Sequence, residues 1–330
     1  MNKFNEIINI YQKDLQEVDE IIINSSVGKS NLIQEITQNL VGSGGKRIRP
    51  ILLIICAKLC GYNNSKTTNL LASSVELIHT ATLLHDDVVD ESQIRRGKKT
   101  ANAIFDNKAS ILVGDYLFSL SFQHMVQSKN LAVLKLLATT SSIIADGEVL
   151  QLQNSSNIEI TEEQYFEIIY GKTGALFSAC CEVGGILAEL SENKVNALQN
   201  FGKNLGMLFQ IIDDILDYSS SQSVIGKDLG NDFFEGKVTL PIIKTYQNCD
   251  LATKKLIKDF FSFNYQNNEK NYQNFEKTLE IMHDSNGLKM AKEKALSLYF
   301  QAKNNLEVFE DNIYKNHLIA ILNYCLNRIS

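Results

Sequence analysis

Proline is almost absent from this chain. The 330 residues contain two, Pro50 and Pro241. Each stands directly before a long apolar pattern of helical spacing, where a fixed φ and a missing N–H cost nothing, so both read as helix starts. Also missing is any sustained apolar/polar alternation bounded by turn signals, which argues against a fold built on sheets. No apolar run approaches the about 20 residues that cross a bilayer; Ile51 to Ala57 is typical of the longest, and it has the size of a core segment. The opening stretch MNKFNEIINIYQKDLQEVDE lacks the basic start and unbroken apolar block of a secretory signal, so the cytoplasm is the expected location. The six cysteines, Cys56, Cys60, Cys180, Cys181, Cys249 and Cys325, form no C-x-x-C pair and have no histidine at zinc spacing. They are expected as buried, reduced thiols. Basic excess is lacking too: 32 Lys and Arg face 38 Asp and Glu, a formal net charge of -6, which argues against broad nucleic-acid binding. If such a chain binds polyanions, something cationic must intervene.

What is abundant is apolar residues, 44% of the chain, enough to bury a sizeable core. They recur at helical spacing almost throughout, which predicts an all-α fold, taken as one domain over residues 1–330. Two loops stand out, one around Gly42, Gly44 and Gly45 and one from Ser219 to Gly236. The stretch from Asn248 to Asn286 is rich in Asn and Lys and predicts peripheral helices around Ala252 to Phe261 and Tyr272 to His283. No repeat of 20 to 50 residues is evident, yet an apolar helix ending in DDxxD occurs in each half, suggesting two facing helices.

Those clusters are DDVVD, Asp86 to Asp90, and DDILD, Asp213 to Asp217. On a helix, positions i, i+1 and i+4 lie within about 100° of one another. Asp86, Asp87 and Asp90 are therefore expected to project together, as are Asp213, Asp214 and Asp217. Three carboxylates on one face repel unless a cation compensates. Their flanks, Thr80 to His85 and Leu208 to Ile212, are mostly apolar, so the acids end buried helices and do not decorate a solvated stripe. All-oxygen ligands with no soft donors point to Mg²⁺, which bridges carboxylates to substrate phosphates. One such cluster alone is well explained as an exposed acidic turn. Two of equal spacing could clasp one diphosphate through metal ions, which resolves how an acidic protein holds an anion.

Basic motifs accompany them. GGKRIRP sets Lys46, Arg47 and Arg49 after a glycine pair and before a helix N-terminus, a natural diphosphate seat. RRGKKT supplies Arg95 and Arg96, whose planar forks suit phosphate oxygens. Lys172 and Thr173 lie in YGKTGALF, Lys227 and Lys237 in GKDLGNDFFEGKVTLP. GKTG lacks the earlier glycine and the strand of an ATP-binding P-loop, so no ATP site is expected there. Any one of these lysines could be a solvated surface charge. His79, two turns before Asp86, and Gln210, three residues before Asp213, could equally be core residues or phosphate ligands.

Taken together, GGKRIRP, LLHDDVVDES with RRGKKT, GKTGALF, FQIIDDILDY and GKDLGNDFFEGKVTLP resemble the trans-isoprenyl diphosphate synthases, the polyprenyl synthetase family, over about Gly44 to Pro241. The resemblance implies an all-α homodimer with a central cavity. It implies that Lys46, Arg49, His79 and Arg96 hold isopentenyl diphosphate, and that Arg95, Lys172, Thr173, Gln210, Lys227 and Lys237 hold the allylic diphosphate. Among these, Lys172 and Lys227 count with Asp86, Asp90 and Asp213 as catalytic. Those three aspartates are the foremost metal ligands; Asp87, Asp214 and Asp217 would bind metal directly or through water. Three Mg²⁺ ions per site are implied, together with a contact to the membrane surface for product release.

Product length is expected to depend on Ala81 and Thr82, five and four residues before Asp86, beneath the acid on its helix. In short-chain relatives an aromatic residue floors the cavity there, whereas these small side chains leave it open. DDVVD also lacks the two-residue insertion of bacterial short-chain synthases, so the chain looks most similar to the long-chain octaprenyl and decaprenyl members that supply quinone side chains. A short-chain farnesyl or geranylgeranyl synthase is the alternative. Phe118, Phe122 and Met125 follow a helical stripe that could form a deeper floor or simply pack the core. A terpene cyclase would carry a different second metal motif and no isopentenyl site, and a non-catalytic partner subunit would have lost acids or arginines that this chain keeps.

Overall fold

The computed structural model describes residues 3–27, 30–42, 45–95, 97–219, 229–261 and 268–329. The helices in order are α1 (Lys3–Ile10), α2 (Gln12–Ser25), α3 (Asn31–Gly42), α4 (Ile48–Leu59) and α5 (Ser65–Val89). A two-stranded hairpin follows, β1 (Ile94–Arg95) and β2 (Lys98–Lys99), antiparallel with Arg95 opposite Lys98. Then come α6 (Ala101–Phe105), α7 (Asn107–Gln127), α8 (Leu131–Gln153), α9 (Glu162–Ile169), a π-helical turn (Tyr170–Gly174) and α10 (Ala175–Leu187). The remaining helices are α11 (Glu192–Ser219), α12 (Asn231–Phe234), α13 (Leu240–Asn248), α14 (Leu251–Phe260), α15 (Asn268–Asp284), α16 (Gly287–Asn305) and α17 (Ile313–Leu326), the last ending in a 3₁₀ turn, Asn327–Ile329. The fold is all-α, as the apolar spacing predicts. Pro50 falls in the first turn of α4 and Pro241 in that of α13, and the Asn- and Lys-rich stretch forms α14 and α15.

Contacts along the chain group it into two compact units. The first holds Met1–Ser142, Leu176–Gly202 and Asn305–Ile321; the second holds Ile143–Ala175, Lys203–Asn304 and Leu322–Ser330. Within the first, α5 packs against α2, α4 and α7. Every residue from Ile51 to Ala57 is buried. A helix apolar all round is a core helix, and α4 is one. Its backbone nearly touches α10, since a Cβ on Gly184 would sit 2.6 Å from the Cys56 carbonyl carbon. Cys56, Cys180, Cys181 and Cys325 are buried as expected; Cys60 and Cys249 are only half-buried, and all six are free. Burial pushes the Cys56 thiol up, so it is inert at neutral pH.

Within the second unit, Phe233 meets Phe261 and Phe275 at ring separations of 5.0 and 5.4 Å. These rings hold α12 and the turn around it in place. Gly230, at φ +80°, starts that turn where a side chain would run into Phe275. Among the described residues, no helix is long and apolar enough to cross a membrane.

Candidate active site

In the first unit, Asn64 caps the start of α5 by accepting from the Thr67 amide, and the helix runs 25 residues to deliver DDVVD at its end. The three acids do not all project together. Asp87 is 3% exposed, while Asp86 and Asp90 are half-exposed. Adjacent positions differ by about 100° on a helix, so one step turns a side chain from the rim into the core. Arg95 Nε donates to Asp87 Oδ1 at 2.7 Å. Burial raises the Asp87 carboxyl above the usual carboxylate range, and Arg95 opposes that shift. The hairpin makes the ion pair possible: Gly97, at φ +74°, turns β1 back on β2 and lays Arg95 over the helix end.

The GGKRIRP motif divides its labour. Arg47, at φ +47°, ion-pairs with Glu76 and with Asp19 at 3.1 Å and donates to the Val41 carbonyl at 3.1 Å. It ties α2, α3 and α5 to the start of α4. Arg49 stands over the Phe177 ring at 4.8 Å with Nη1 3.1 Å from His79 Nε2, so two of the residues expected to share one phosphate are neighbours. Lys46 is exposed on the approach to α4. Arg96 lies outside the described residues. Ala81 is 1% exposed, and Thr82 is half-buried with its hydroxyl donating to the His79 carbonyl at 2.8 Å. Phe118 and Phe122 pack edge to face at 5.2 Å, and Met125 is buried.

The second unit repeats the division at DDILD. Asp214 is 2% exposed with both oxygens occupied: Tyr165 Oη donates to Oδ2 at 2.6 Å and Gln210 Nε2 to Oδ1 at 2.8 Å. Burial pushes its carboxyl up to about 7, with the two donors opposing. Asp213 and Asp217 are half-exposed. Arg328 Nη2 meets Asp213 Oδ1 at 2.6 Å, its guanidinium 5.0 Å above the Phe209 ring. Asp217 Oδ2 accepts from the Asp232 amide at 2.9 Å. Burial and the nearby Asp214 and Asp217 drive the Asp232 carboxyl well upward, against the pull of Lys237. Among the described residues no three acid, His or Cys side chains close on one point.

Lys172 is presented by the π-turn. Gly147 on α8 faces Gly171 so closely that a Cβ on Gly147 would lie 2.8 Å from Gly171 Cα and from Lys172 N. That approach lets Lys172 Nζ donate to Glu148 Oε2 at 2.7 Å and Gln151 Oε1 at 2.8 Å. Thr173 Oγ1 donates to Gln210 Oε1 at 2.9 Å, joining this turn to Asp214 through one glutamine. Lys237 pairs with Glu235 at 2.6 Å. A cavity of about 100 Å³ is lined by Tyr165, Lys172, Gln210, Asp214, Asp232 and Lys237 among others. Lys227 lies outside the described residues. Tyr165, Glu148, Gln151, Asp232 and Arg328 were not expected from the sequence. GEVLQLQ carries no spacing signal, and Arg328 follows the last recognisable motif.

The outer acids of both clusters offer hard oxygen donors beside cationic side chains, a donor set suited to Mg²⁺ bridging carboxylate and phosphate. A model of the polyprenyl synthetase family matches residues 30–282. The octaprenyl diphosphate synthase of Escherichia coli is 37% identical over 328 residues, 99% of each chain. An all-trans-nonaprenyl-diphosphate synthase of Rhodobacter capsulatus is 37% identical over 98% of each. Among solved structures, a decaprenyl diphosphate synthase from Rhodobacter capsulatus superposes with a TM-score of 0.93 at 40% identity, covering 99% of both chains. A polyprenyl synthase from Caulobacter crescentus complexed with calcium and isoprenyl diphosphate gives 0.90 at 34%, covering 99% of this chain and 98% of that one.

Proposed function

Because the chain belongs to the polyprenyl synthetase family, we propose that it is a long-chain all-trans polyprenyl diphosphate synthase that condenses isopentenyl diphosphate onto an allylic diphosphate. The observation that carries this reading is the same arrangement at two distant places: a buried second acid held by the protein, two half-exposed outer acids, and basic side chains close by. Each cluster, with oxygen donors beside cationic side chains, suits metal-bridged binding of a diphosphate. The two units are taken as parts of a single domain, since the family match runs through both.

Asp86, Asp90, Asp213 and Asp217 would hold Mg²⁺, three ions in all, with Asp87 and Asp214 behind them. Bound Mg²⁺ supplies charge neutralisation on the diphosphate. Lys172, steadied by Glu148 and Gln151, holds the allylic diphosphate with Arg95, Thr173, Gln210, Lys227 and Lys237. The guanidinium and ammonium groups stabilise negative charge on the diphosphate as its C–O bond to the allylic carbon breaks. Lys46, Arg49, His79 and Arg96 hold isopentenyl diphosphate so that its double bond attacks the allylic carbon. A proton then leaves to the released diphosphate, and no separate protein base is required. The apolar helices exclude water that would quench the cation.

Small residues at Ala81 and Thr82 favour continued elongation to the length of a quinone side chain such as that of ubiquinone. The exposed apolar residues Ile111, Leu112 and Val126 on α7 suit a homodimer contact, and a product of this length would leave at a membrane surface. The test is incubation of the purified protein with Mg²⁺, labelled isopentenyl diphosphate and farnesyl or geranylgeranyl diphosphate, followed by sizing of the products. Label in chains of about eight to ten isoprene units is expected. No incorporation with any starter sinks the synthase reading, and products that stop at fifteen or twenty carbons sink the long-chain part of it.

A further inference from the structure

Asp214 has spent both of its oxygens on the protein, and the donors are unequal in rigidity. Gln210 lies one turn earlier on the same helix and is itself held by Thr173. Tyr165 comes from α9, and α9 is fastened at its base. Thr161 and Gln164 form a reciprocal capping box there, which fixes the first turn. Glu162, in that turn, ion-pairs with Lys244 on α13 at 2.5 Å and with Lys294 on α16 at 3.1 Å. Lys294 also stands 4.9 Å over the ring of Phe166, next to Tyr165. The phenol is 3% exposed at the wall of the cavity and has one short bond to a carboxylate. A buried tyrosine held this firmly fixes the rotation of the helix end that carries the two outer acids.

From this geometry we infer that Tyr165 is a positioning residue: by pinning Asp214 it sets the orientation in which Asp213 and Asp217 take up the metal-bound diphosphate. Gln210 is its partner in that role. The inference rests on the proposed reading of DDILD as a metal site. Groups that orient ligand side chains from behind carry affinity without touching the ion, and their loss costs roughly tenfold to hundredfold.

Titration of the intact protein with Mn²⁺ in the presence of inorganic diphosphate, read by the electron spin resonance of free Mn²⁺, tests this. Tyr165→Phe removes one oxygen and keeps the ring; Tyr11→Phe, which removes the 2.9 Å contact of another buried tyrosine with His317 in the first unit, is the control. Binding about tenfold or more weaker in Tyr165→Phe and unchanged in Tyr11→Phe is expected. In turnover, the KM for Mg²⁺ should rise while that for isopentenyl diphosphate stays put. Unaltered Mn²⁺ binding in Tyr165→Phe overturns the inference, as does a KM for both that rises together in step with a lowered Tm. Should Tyr165→Phe fail to fold, Glu162→Gln loosens α9 at its base, at a residue with no part in holding diphosphate, and must weaken Mn²⁺ in the same way. Wild-type protein that binds no Mn²⁺ with diphosphate would overturn the metal-site reading and this inference with it; wild-type binding with an indifferent variant would overturn the inference alone.

Discussion

Outer and buried aspartates of the two motifs do different work in this protein, and mutagenesis should separate them. Asp213 is half-exposed, whereas Asp87 is buried in an ion pair with Arg95. Asp213→Asn should lower kcat roughly hundredfold or more, as expected when a carboxylate that would hold the charge-neutralising Mg²⁺ is lost, with Tm nearly unchanged. Asp87→Asn exchanges a buried charge for a neutral amide whose oxygen can still accept from Arg95 Nε, so stability in urea melts at about pH 7 should hold or rise, and kcat should fall less than in Asp213→Asn. Ala81→Phe belongs at this scale as well. Ala81 is fully buried, so a ring there must take space from the product or from the core. Shorter products at an unchanged Tm are expected on chromatographic sizing; products of wild-type length would show that the Ala81 methyl does not border the growing chain.

The crossing of α8 and the π-turn depends on two glycines. Gly147→Ala would place a methyl 2.8 Å from the backbone of Gly171 and Lys172, atoms that no rotamer can move aside. A loss of about 1–3 kcal/mol and a raised KM for the allylic diphosphate, with little change for isopentenyl diphosphate, are the expected outcomes in denaturant melts and steady-state kinetics. Elements like α4 and α13 were legible in advance because their signals are local: a proline in the first turn, then apolar residues at helical spacing. The hairpin at Arg95 was not, since two residues per strand are too few for alternation to register. Nor was the π-turn. The partners of the site were the least legible: Tyr165 is 49 residues from Asp214 and Glu148 is 24 from Lys172, separations that leave no periodic trace. The inward turn of Asp87 and Asp214 was hidden by grouping three acids within about 100°, an arc wide enough to run from rim to core.

At the scale of the whole molecule, an acidic chain of net charge -6 keeps several carboxyls at the core side of its helices. Asp87, Asp214 and Asp232 all have folded-state pKa values above their ordinary ones, Asp214 at about 7. A group raised in this way favours the folded state fully below its unfolded pKa near 4, and that contribution is lost as pH rises through the folded value. In EDTA the protein should therefore lose stability between about pH 4 and pH 7 from Asp214, and Asp214→Asn should flatten that part of the curve in urea melts. An identical slope in the variant would show that Asp214 does not titrate there.

The π-turn at Tyr170–Gly174 contains one residue more than an α-helix would need to cover the same rise. The number of residues between Tyr165, which faces Asp214, and Thr173, which faces Gln210, is thus part of the site. Removing one residue between Tyr165 and Lys172 would heal the helix into a regular one and swing Lys172 about 100° away from Glu148. Here, counting residues matters as much as their identity: a gap of a single position would dismantle the seat of the lysine.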